Sequence, residues 1–405
     1  MKKLNLVFVI VLFISLEKAE SQIIQQIGYY SINGVMALSS EPNYLILGNG
    51  SFVDISNPTS PSLTGMVSLN GFSTAVLIDG NYAFYGTGMT GKLIIADISN
   101  PGFPLQIASR FFPTINGGIF GMAKKNNILF LAAGGEGVFS VDISNPSNPL
   151  VLDSIAIPDG QARDIITLGN YAYVAHNNGL KVIDISNPAK MSLISSIGSE
   201  YNSIALDAAN DLIFLGKNYS GGIDAFNLSN PTAPSPAFSI PNSGSFVWDL
   251  KCRNNLLYLA TDIAGLYLYS YNKTSAIEKA HFPNTGNGQS FAVSLQDSLI
   301  LLSGLINGVA ILKYDSLGGE GIYEKNDDDQ ITISPNPAKS YFDYYLNNIT
   351  VSEIDIMNCN GISIIKQSCT NRQKRIDISH LPKGLYLVSF KNKQKSWQKK
   401  LIKSE

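Results

Sequence analysis

A five-residue sequence recurs along this chain of 405 residues at nearly constant intervals of 43, 45, 42 and 43 residues. A fixed period in this range is typical of repeat architectures, so the fold must be built from similar units. A repeat of this kind is a scaffold, and a scaffold does not identify its ligand. The copies are Asp54–Pro58, Asp97–Pro101, Asp142–Pro146, Asp184–Pro188 and, in altered form, Asn227–Pro231.

One unit, residues 162–197, contains four short runs rich in β-branched and aromatic residues, separated by Gly, Asn and Pro. Such runs predict strands. Gly and Asn adopt positive φ in tight turns, and Pro188 cannot donate to a ladder, so the third strand must end before it. No run shows a helical period. Four strands in a unit of about 43 residues predict a propeller blade, with a solenoid as the alternative.

The period continues after the five-residue sequence fades. Gly179 precedes Asp184 by five residues, and the same spacing after Gly265 and Gly308 predicts two further units, seven in all. The last unit stops near Tyr314, after its third strand, whereas Ile23–Tyr30 resembles a fourth strand. We therefore predict an all-β, seven-bladed propeller of four-stranded blades over residues 22–314, in which the N-terminal strand completes the last blade and removes an open sheet edge.

The repeats closely resemble the LVIVD family, whose units carry Leu/Val-x-Ile-Ile-Asp-Ile-Ser-Asp/Asn-Pro. Gly179–Pro188 is a nearly ideal copy, and the resemblance covers roughly residues 23–314. It implies a β-propeller on a secreted or surface protein and carries no shared chemistry. The sixth and seventh units lack the Asp and the Ser-Asn-Pro, so the count of blades depends there on the spacing and on the apolar runs Leu266–Tyr269 and Val309–Leu312.

The first 21 residues have the organisation of a secretory signal peptide. Two lysines precede nine consecutive apolar residues, Leu6–Ile14, and Ala19-Glu-Ser21 fits a cleavage site between Ser21 and Gln22. Nine residues are too few to span a bilayer. We expect no transmembrane segment and, because no cysteine lies near the cleavage site, no lipid anchor.

The last 75 residues differ from the repeats. A polar, Gly-rich stretch, 315–330, predicts a linker, and the short alternating runs of 331–405 predict a small β-sandwich. This segment also resembles the type A C-terminal sorting domain of the type IX secretion system of Bacteroidota. The resemblance implies export across both membranes, with the secretion machinery as partner. The residues that carry it are Pro335, Asn336, Pro337, Ala338, Gly361, Leu381, Gly384, Tyr386 and Lys403.

The net charge and the cysteines also differ between the repeats and the C-terminal segment. Residues 331–405 have a net charge of +7 and residues 22–330 a net charge of −10. The basic module fits docking on acidic machinery, and the acidic propeller disfavours nucleic acid as a partner. Cys252 fits a buried small hydrophobe. Cys359 and Cys369 pass through an oxidising periplasm, where a disulfide between them is one of two open states.

Signals for chemistry are weak. The three histidines do not form metal-binding spacings, and no nucleophile elbow or phosphate loop is present. We therefore expect no cofactor, no metal and no catalytic residue. The repeated aspartates, Asp54, Asp97, Asp142 and Asp184, are interpreted as caps of the turns that end their strands. The sequence Asp315-Ser316-Leu makes Ser316 a candidate for O-glycosylation.

Propellers usually bind ligands where inter-blade loops and the loops between second and third strands surround the central channel. Here those loops offer a set of polar and aromatic residues, in which Trp248 is a candidate stacking platform for a glycan-like ligand. The alternative is that these residues only fill the mouth of the channel. The set is Arg163, Asp164, His176, Tyr201, Trp248, Asp249 and Asp262.

These observations favour a secreted or cell-surface propeller that acts as a binding module. Glycan, peptide and matrix ligands all remain open. The alternatives are an extracellular lyase or hydrolase with its active site at the channel mouth, and a structural or adhesin component that needs no pocket.

Overall fold

The computed structural model describes residues 23–112, 118–198, 203–218, 222–241, 245–284, 288–304, 308–315, 331–334, 338–346, 350–358, 363–369, 373–392 and 396–404. Within these ranges every regular element is a β-strand. The chain forms two compact units, residues 1–318 and 319–405. The predicted signal peptide, most of the predicted linker and Ser316 lie outside the described residues.

The first unit consists of seven antiparallel sheets of four strands each, which confirms the seven-bladed propeller. Strand β1 (Ile23–Tyr30) comes first. Blade 1 contains β2 (Leu38–Glu41), β3 (Tyr44–Leu47), β4 (Ser51–Asp54) and β5 (Ser62–Met66). Blade 2 contains β6 (Ser73–Asp79), β7 (Tyr82–Thr87), β8 (Lys92–Asp97) and β9 (Leu105–Phe111). Blade 3 contains β10 (Gly121–Lys125), β11 (Ile128–Ala132), β12 (Val138–Asp142) and β13 (Leu150–Ile155).

The remaining blades follow the same order. Blade 4 contains β14 (Ala162–Leu168), β15 (Tyr171–His176), β16 (Gly179–Asp184) and β17 (Ser192–Ile197). Blade 5 contains β18 (Ser203–Ala209), β19 (Leu212–Lys217), β20 (Ile223–Asn227) and β21 (Ser235–Ile240). Blade 6 contains β22 (Val247–Arg253), β23 (Leu256–Thr261), β24 (Gly265–Tyr271) and β25 (Ala276–Phe282). Blade 7 contains β26 (Ser290–Gln296), β27 (Leu299–Gly304) and β28 (Gly308–Asp315).

The N-terminal strand closes the ring, as predicted. Strand β1 pairs antiparallel with β28, from Ile24 opposite Tyr314 to Tyr30 opposite Val309. It supplies the fourth strand of blade 7, whose own sequence stops after three. The two ends of the propeller sequence therefore share one sheet, and the last blade has no missing strand.

Small residues build the tight turns between the first and second strands. Each of these turns holds at least one residue in the left-handed region, which Gly, Asn and Asp tolerate best, and those of blades 5 and 6 hold a second, Asp211 and Asn255. The apolar residues of alternate strand positions then form one core cluster at each interface between neighbouring blades. The turn residues are Asn43, Gly80, Asn126, Gly169, Asn210, Asn254 and Asp297.

The recurring five-residue sequence forms the turn after the third strand. In blade 4, Asp184 ends β16, and its carboxylate accepts a hydrogen bond from the backbone N–H of Ser186 at 2.8 Å. A hydrogen bond from the Ser186 side chain, together with this backbone bond, lowers the pKa of the carboxyl group. The equivalent bonds are Asp54 to Ser56, Asp97 to Ser99, Asp142 to Ser144 and Asn227 to Ser229, at 2.8–2.9 Å.

Proline carbonyls at the ends of these turns contact the preceding blade. The Ser140 hydroxyl donates to the carbonyl of Pro188 at 2.5 Å, and the Tyr173 hydroxyl donates to that of Pro231 at 2.8 Å. The turn thus ends its own third strand and also gives the neighbouring blade an acceptor.

The second unit contains two sheets around a single core, which confirms the predicted small sandwich. Strands β29 (Ile331–Ser334), β30 (Tyr341–Leu346) and β33 (Gln373–Asp377) form one sheet. Strands β31 (Glu353–Asn358), β32 (Ser363–Ser368), β34 (Gly384–Lys391) and β35 (Ser396–Lys403) form the other.

Candidate functional site

The first strand of each blade, here called the inner strand, borders a central cavity of about 200 Å³. All seven blades contribute to its walls, so the cavity is the central channel. Its lining combines apolar and polar side chains. Among them are Met36, Thr74, Met122, Ile204, Trp248 and Phe291.

Three aspartates on consecutive inner strands join blades 4, 5, 6 and 7. Each carboxylate accepts one N–H from the next residue of its own strand and one from the inner strand of the following blade. Hydrogen bonds to a charged acceptor are stronger than neutral ones. We name these three the inner-strand aspartates; their cross-blade bonds are Asp164 to Leu206 at 3.1 Å, Asp207 to Cys252 at 2.8 Å and Asp249 to Val293 at 2.9 Å.

Lys251 provides the positive charge for this cluster. Its Nζ lies 3.0 Å from Oδ1 of Asp249 and 3.2 Å from the carbonyl oxygen of Leu250. About 40% of the side chain is accessible, but this surface faces the channel and not the outside of the molecule. Burial by itself lowers the pKa of Lys251, yet the three inner-strand aspartates outweigh it and raise the pKa.

Two of the inner-strand aspartates, Asp164 and Asp207, resist ionisation. Burial raises the pKa of Asp164 to about 7, although Lys251 opposes the rise and the charge of Asp249 adds to it. Burial also raises the pKa of Asp207, again against the effect of Lys251. One lysine thus does not fully compensate the cost of placing three carboxylates in the channel.

The mouth of the channel, where the inner strands begin, is aromatic on the side of blades 6 and 7. The indole of Trp248 lies between the rings of Phe246 and Phe291, with centroids 6.0 Å and 5.1 Å away. Its Nε1 donates to Oδ1 of Asp262 at 3.4 Å, and Nε2 of Gln289 donates to the same oxygen at 2.6 Å. Asp262 therefore orients the indole and joins blades 6 and 7.

The structure brings together most of the residues proposed from sequence. Asp164, Trp248 and Asp249 line the cavity, and Asp262 is hydrogen-bonded to Trp248. The guanidinium of Arg163 lies 4.5 Å from the ring centre of Phe120, which also lines the cavity. Tyr201 lies outside the described residues.

His176 is not part of the cavity lining. Its side chain is fully buried, and Nδ1 accepts the N–H of Asn178 at 3.1 Å, within the turn that follows its own strand. Burial lowers the pKa of His176 to about 4, and nearby Lys181 lowers it further. The imidazole is therefore neutral near pH 7 and holds a hairpin of blade 4.

Sequence reasoning missed Lys251 and Asp207. A signal was present, because side chains alternate along a strand and the pair Asp249-x-Lys251 must therefore lie on one side of β22. Asp207 is the middle member of a series of aspartates on three consecutive inner strands. Without the sheets, however, a sequence does not tell which of many aspartates share a channel.

The described residues contain no group of three His, Cys, Asp or Glu side chains placed to hold a metal ion. The repeated aspartates each lie at the turn of a separate blade, where the serine N–H occupies the carboxylate. Cys252 is half-buried, and burial raises the pKa of its thiol, so it is held as a neutral thiol.

In the sorting domain, the ends of the sequence motif meet. Ala338 forms a parallel bridge with Lys403: its N–H donates to Ile402 at 2.8 Å, and its carbonyl accepts from Ser404 at 2.9 Å. Leu381 and Tyr386 are buried in the core, and the Tyr386 hydroxyl donates to the carbonyl of Pro382 at 2.7 Å. The basic last strand is thus held against the start of the motif.

Several of the proposed residues of this domain lie outside the described part of the chain. They are Pro335, Asn336, Pro337, Gly361 and Cys359. The proposed disulfide between Cys359 and Cys369 therefore stays a prediction. The Cys369 thiol is buried, with Sγ 3.3 Å from the Tyr344 hydroxyl.

Comparison with known protein families agrees with the two units. The model of the LVIVD repeat matches residues 43–68, 70–109, 125–156 and 159–198. The model of a secretion system C-terminal sorting domain matches residues 332–404. No curated protein sequence matches the chain. No α-helix with the length and hydropathy of a membrane span occurs among the residues that the structure describes.

Solved structures that resemble the chain include a WD40 β-propeller domain and a set of WD40 repeats. The WD40 β-propeller domain of Doa1 has 11% identity and a TM-score of 0.59, over 72% of this chain and 97% of that one. The RRP9 WD40 repeats have 10% identity and a TM-score of 0.58, over 72% and 97%. A chain of the mitotic checkpoint complex has 11% identity and a TM-score of 0.58, over 72% and 91%. At these identities the likeness shows the fold alone.

Proposed function

Since this chain is an LVIVD-repeat propeller that ends in a secretion system sorting domain, we propose that it is an exported binding protein of the cell surface. The sorting domain implies contact with the type IX secretion machinery and delivery outside the cell. The propeller is then the working part, and its ligand is a glycan, a peptide or a matrix component. The net charge of −10 over residues 22–330 disfavours nucleic acid.

The channel interior supports binding over catalysis. A general acid or base needs a carboxyl group that can reach a substrate. Both oxygens of each inner-strand aspartate already accept backbone N–H groups, one of them from the next blade. These carboxylates hold neighbouring blades together. We therefore propose a structural role for them and propose no reaction for the protein.

The mouth of the channel is the proposed binding site, and the observation that carries it is the arrangement around Trp248. The indole is only half-buried, borders the cavity and is oriented by Asp262. An oriented aromatic ring beside polar groups suits a ligand with one apolar and one hydrogen-bonding face. Arg163, on the blade 4 side, adds a positive charge beside Phe120, a residue of the cavity lining.

Export is tested by fractionating the bacteria that make the protein and measuring the mass of both chain ends. We expect a surface or medium protein that starts near Gln22 and ends near residue 330. A protein found inside the cell with Glu405 still present would contradict the proposal. Deletion of residues 331–405 serves as the control and should abolish export.

Binding is tested by tryptophan fluorescence, because Trp248 and Trp397 are the only tryptophans of the chain. In the full-length Trp397→Phe variant, all emission comes from Trp248. Ligands found on glycan and peptide arrays should shift this emission, and Trp248→Ala should lose array binding while it melts near the wild-type temperature. If array binding is unchanged in Trp248→Ala, the channel mouth is not the binding site.

A further inference from the structure

A second cavity, of about 410 Å³, opens between blades 4 and 5. It lies at the turns that join first and second strands, Gly169-Asn170 in blade 4 and Asn210-Asp211 in blade 5. Trp248 and Asp262 lie at the opposite ends of the strands, so this inter-blade crevice is separate from the channel mouth. Its volume is within the range of about 300–1,000 Å³ that is typical of small-molecule sites.

One position of the repeat differs between this crevice and the next interface. At the end of the third strand, equivalent residues pack towards the preceding blade: they are Ile185 in blade 4, Leu228 in blade 5 and Tyr271, the last residue of β24, in blade 6. Tyr271 closes the crevice between blades 5 and 6, where its ring lies 4.7 Å from that of Phe214. The Asn210 amide donates to its hydroxyl at 3.2 Å. Between blades 4 and 5, the shorter Leu228 leaves this space open.

The walls of the crevice are apolar and neutral. Tyr173 forms its buried floor, and the Tyr173 hydroxyl donates a hydrogen bond to the carbonyl of Pro231. Tyr171 and Leu168 stand at the blade 4 side, with Leu168 38% exposed, and Leu228 stands at the blade 5 side. The described lining contains no lysine or arginine, and the two lysines next to the rim are each held by a rim residue, Lys125 by Asn170 and Lys273 by Asp211.

The rim offers neutral hydrogen-bonding groups. Asn170 accepts from Lys125 through Oδ1 at 3.1 Å, which leaves its Nδ2 as a donor. Asn210 donates through Nδ2 to Asn255 and Tyr271, which leaves its Oδ1 as an acceptor. The one acidic side chain of the rim, Asp211, is 3.0 Å from the ammonium group of Lys273.

We propose that the inter-blade crevice binds a pyranose ring of a neutral glycan. Such a ring has an apolar C–H face, which packs on Tyr171 and the leucines, and hydroxyl groups, which bond the amides of Asn170 and Asn210. The absence of a cation in the described lining disfavours phosphate or carboxylate ligands. This inference rests on the proposed function in one respect: export brings the crevice into contact with extracellular glycans.

The test is saturation-transfer-difference NMR on the full-length protein, with glucose, galactose, mannose and N-acetylglucosamine as probes at millimolar concentration. We expect transfer to the ring C–H protons of at least one sugar. Leu228→Tyr places in this crevice the side chain that closes the next one. It should raise the Kd obtained by titrating the transfer roughly tenfold or more, which corresponds to at least about 1.4 kcal/mol.

A second variant guards against a folding defect in Leu228→Tyr. Asn170→Ala changes an exposed turn residue and should weaken transfer several-fold without lowering the melting temperature. Asn127→Ala, at the same turn position of blade 3, is the matched control and should behave as wild type.

Two outcomes would overturn the proposal. If none of the four sugars receives transfer, the proposed pyranose ligand is wrong. Transfer that survives Leu228→Tyr but disappears in Trp248→Ala would place the sugar at the channel mouth, which would support the proposed function and reject the crevice. Loss in Leu228→Tyr with full retention in Trp248→Ala is the result that we expect.

Discussion

Blades 1–4 and blades 5–7 reach the same fold by different local means. The LVIVD repeat model matches only the first four. Blade 5 keeps the turn with Asn227 in place of Asp, and blade 6 forms a similar turn two residues later in the repeat, where Asn272 accepts the N–H of Thr274 at 2.8 Å. In blade 7 the fourth strand comes from the other end of the propeller sequence.

The two regions also differ at the channel. The inner-strand aspartates and Lys251 join blades 4–7 through charged groups. Around the rest of the ring the inner strands are joined by hydroxyl groups, such as Ser40 with Ser294 at 2.8 Å and Thr74 with the carbonyl of Ile119 at 2.7 Å. A half-exposed ion pair of Lys124 with Asp79 at 2.9 Å also joins blades 2 and 3. The repeat motif therefore forms a local turn, whereas the packing of blades against each other depends on apolar clusters and on hydrogen bonds between inner strands.

The largest expected effect is that of Lys251→Ala. It leaves three carboxylates in the channel without a positive partner, and removal of one member of a buried ion pair costs about 3–5 kcal/mol. We expect about 3 kcal/mol, at the low end, because 40% of the Lys251 side chain faces the channel. Urea unfolding measures the loss. Lys273→Ala, which breaks an exposed pair with Asp211, is the control and should change stability by less than about 0.5 kcal/mol.

A smaller loss is expected from Asp207→Ala. The N–H of Cys252 loses its acceptor between the inner strands, which costs about 2 kcal/mol for a buried unsatisfied group. Asp184→Ala removes an equivalent bond from an exposed repeat turn and should cost less. Equal losses in thermal unfolding would show that the motif and the channel contribute alike, and would end the distinction between the two regions.

Tyr85→Phe should stabilise the protein. Tyr85 is fully buried in the apolar cluster between blades 1 and 2, and its hydroxyl has no hydrogen-bond partner among the described residues. Removal of such a group is expected to gain about 1 kcal/mol. Tyr173→Phe, which removes a hydroxyl bonded to Pro231, should instead be destabilising. A clear loss of stability in Tyr85→Phe would imply a partner for this hydroxyl, such as a buried water.

The two regions should also differ in how their stability depends on pH. The folded pKa of Asp164, about 7, is above its ordinary value of 3.8, so its contribution is present in acid and is lost as the pH rises through about 7. Asp164→Asn should therefore flatten the fall in stability between about pH 4 and 7.

The contribution of the repeat-turn aspartates to stability depends on pH with the opposite sign. Hydrogen bonds from Ser56 and Ser186 lower the pKa of Asp54 and Asp184. The contribution of these carboxylates is therefore present above about pH 4 and is lost as the pH falls further. Asp184→Ala should change the unfolding profile only on this acidic side. A change between pH 4 and 7 in Asp184→Ala would contradict the assignment of that window to the channel.

Much of the fold was predictable because the signals are local and repeated. The turn residues, the period and the Gly265 and Gly308 spacings each depend on chemistry within about 40 residues. The candidate site was less predictable. Trp248 and Asp164 were found because loops at the mouth belong to the fold, whereas His176 was misplaced, since its turn buries it in its own blade.

By itself, the sequence determined an all-β chain of seven repeated units followed by a sorting domain, because strand periodicity, turn residues and motifs are written in neighbouring positions. Only the tertiary structure decided which charges meet in the channel and which inter-blade crevice stays open. Asp164, Asp207 and Asp249 lie about 42 residues apart, and Leu228 faces a blade that precedes its own. Such contacts depend on how the blades pack around the ring, and no local pattern encodes that packing.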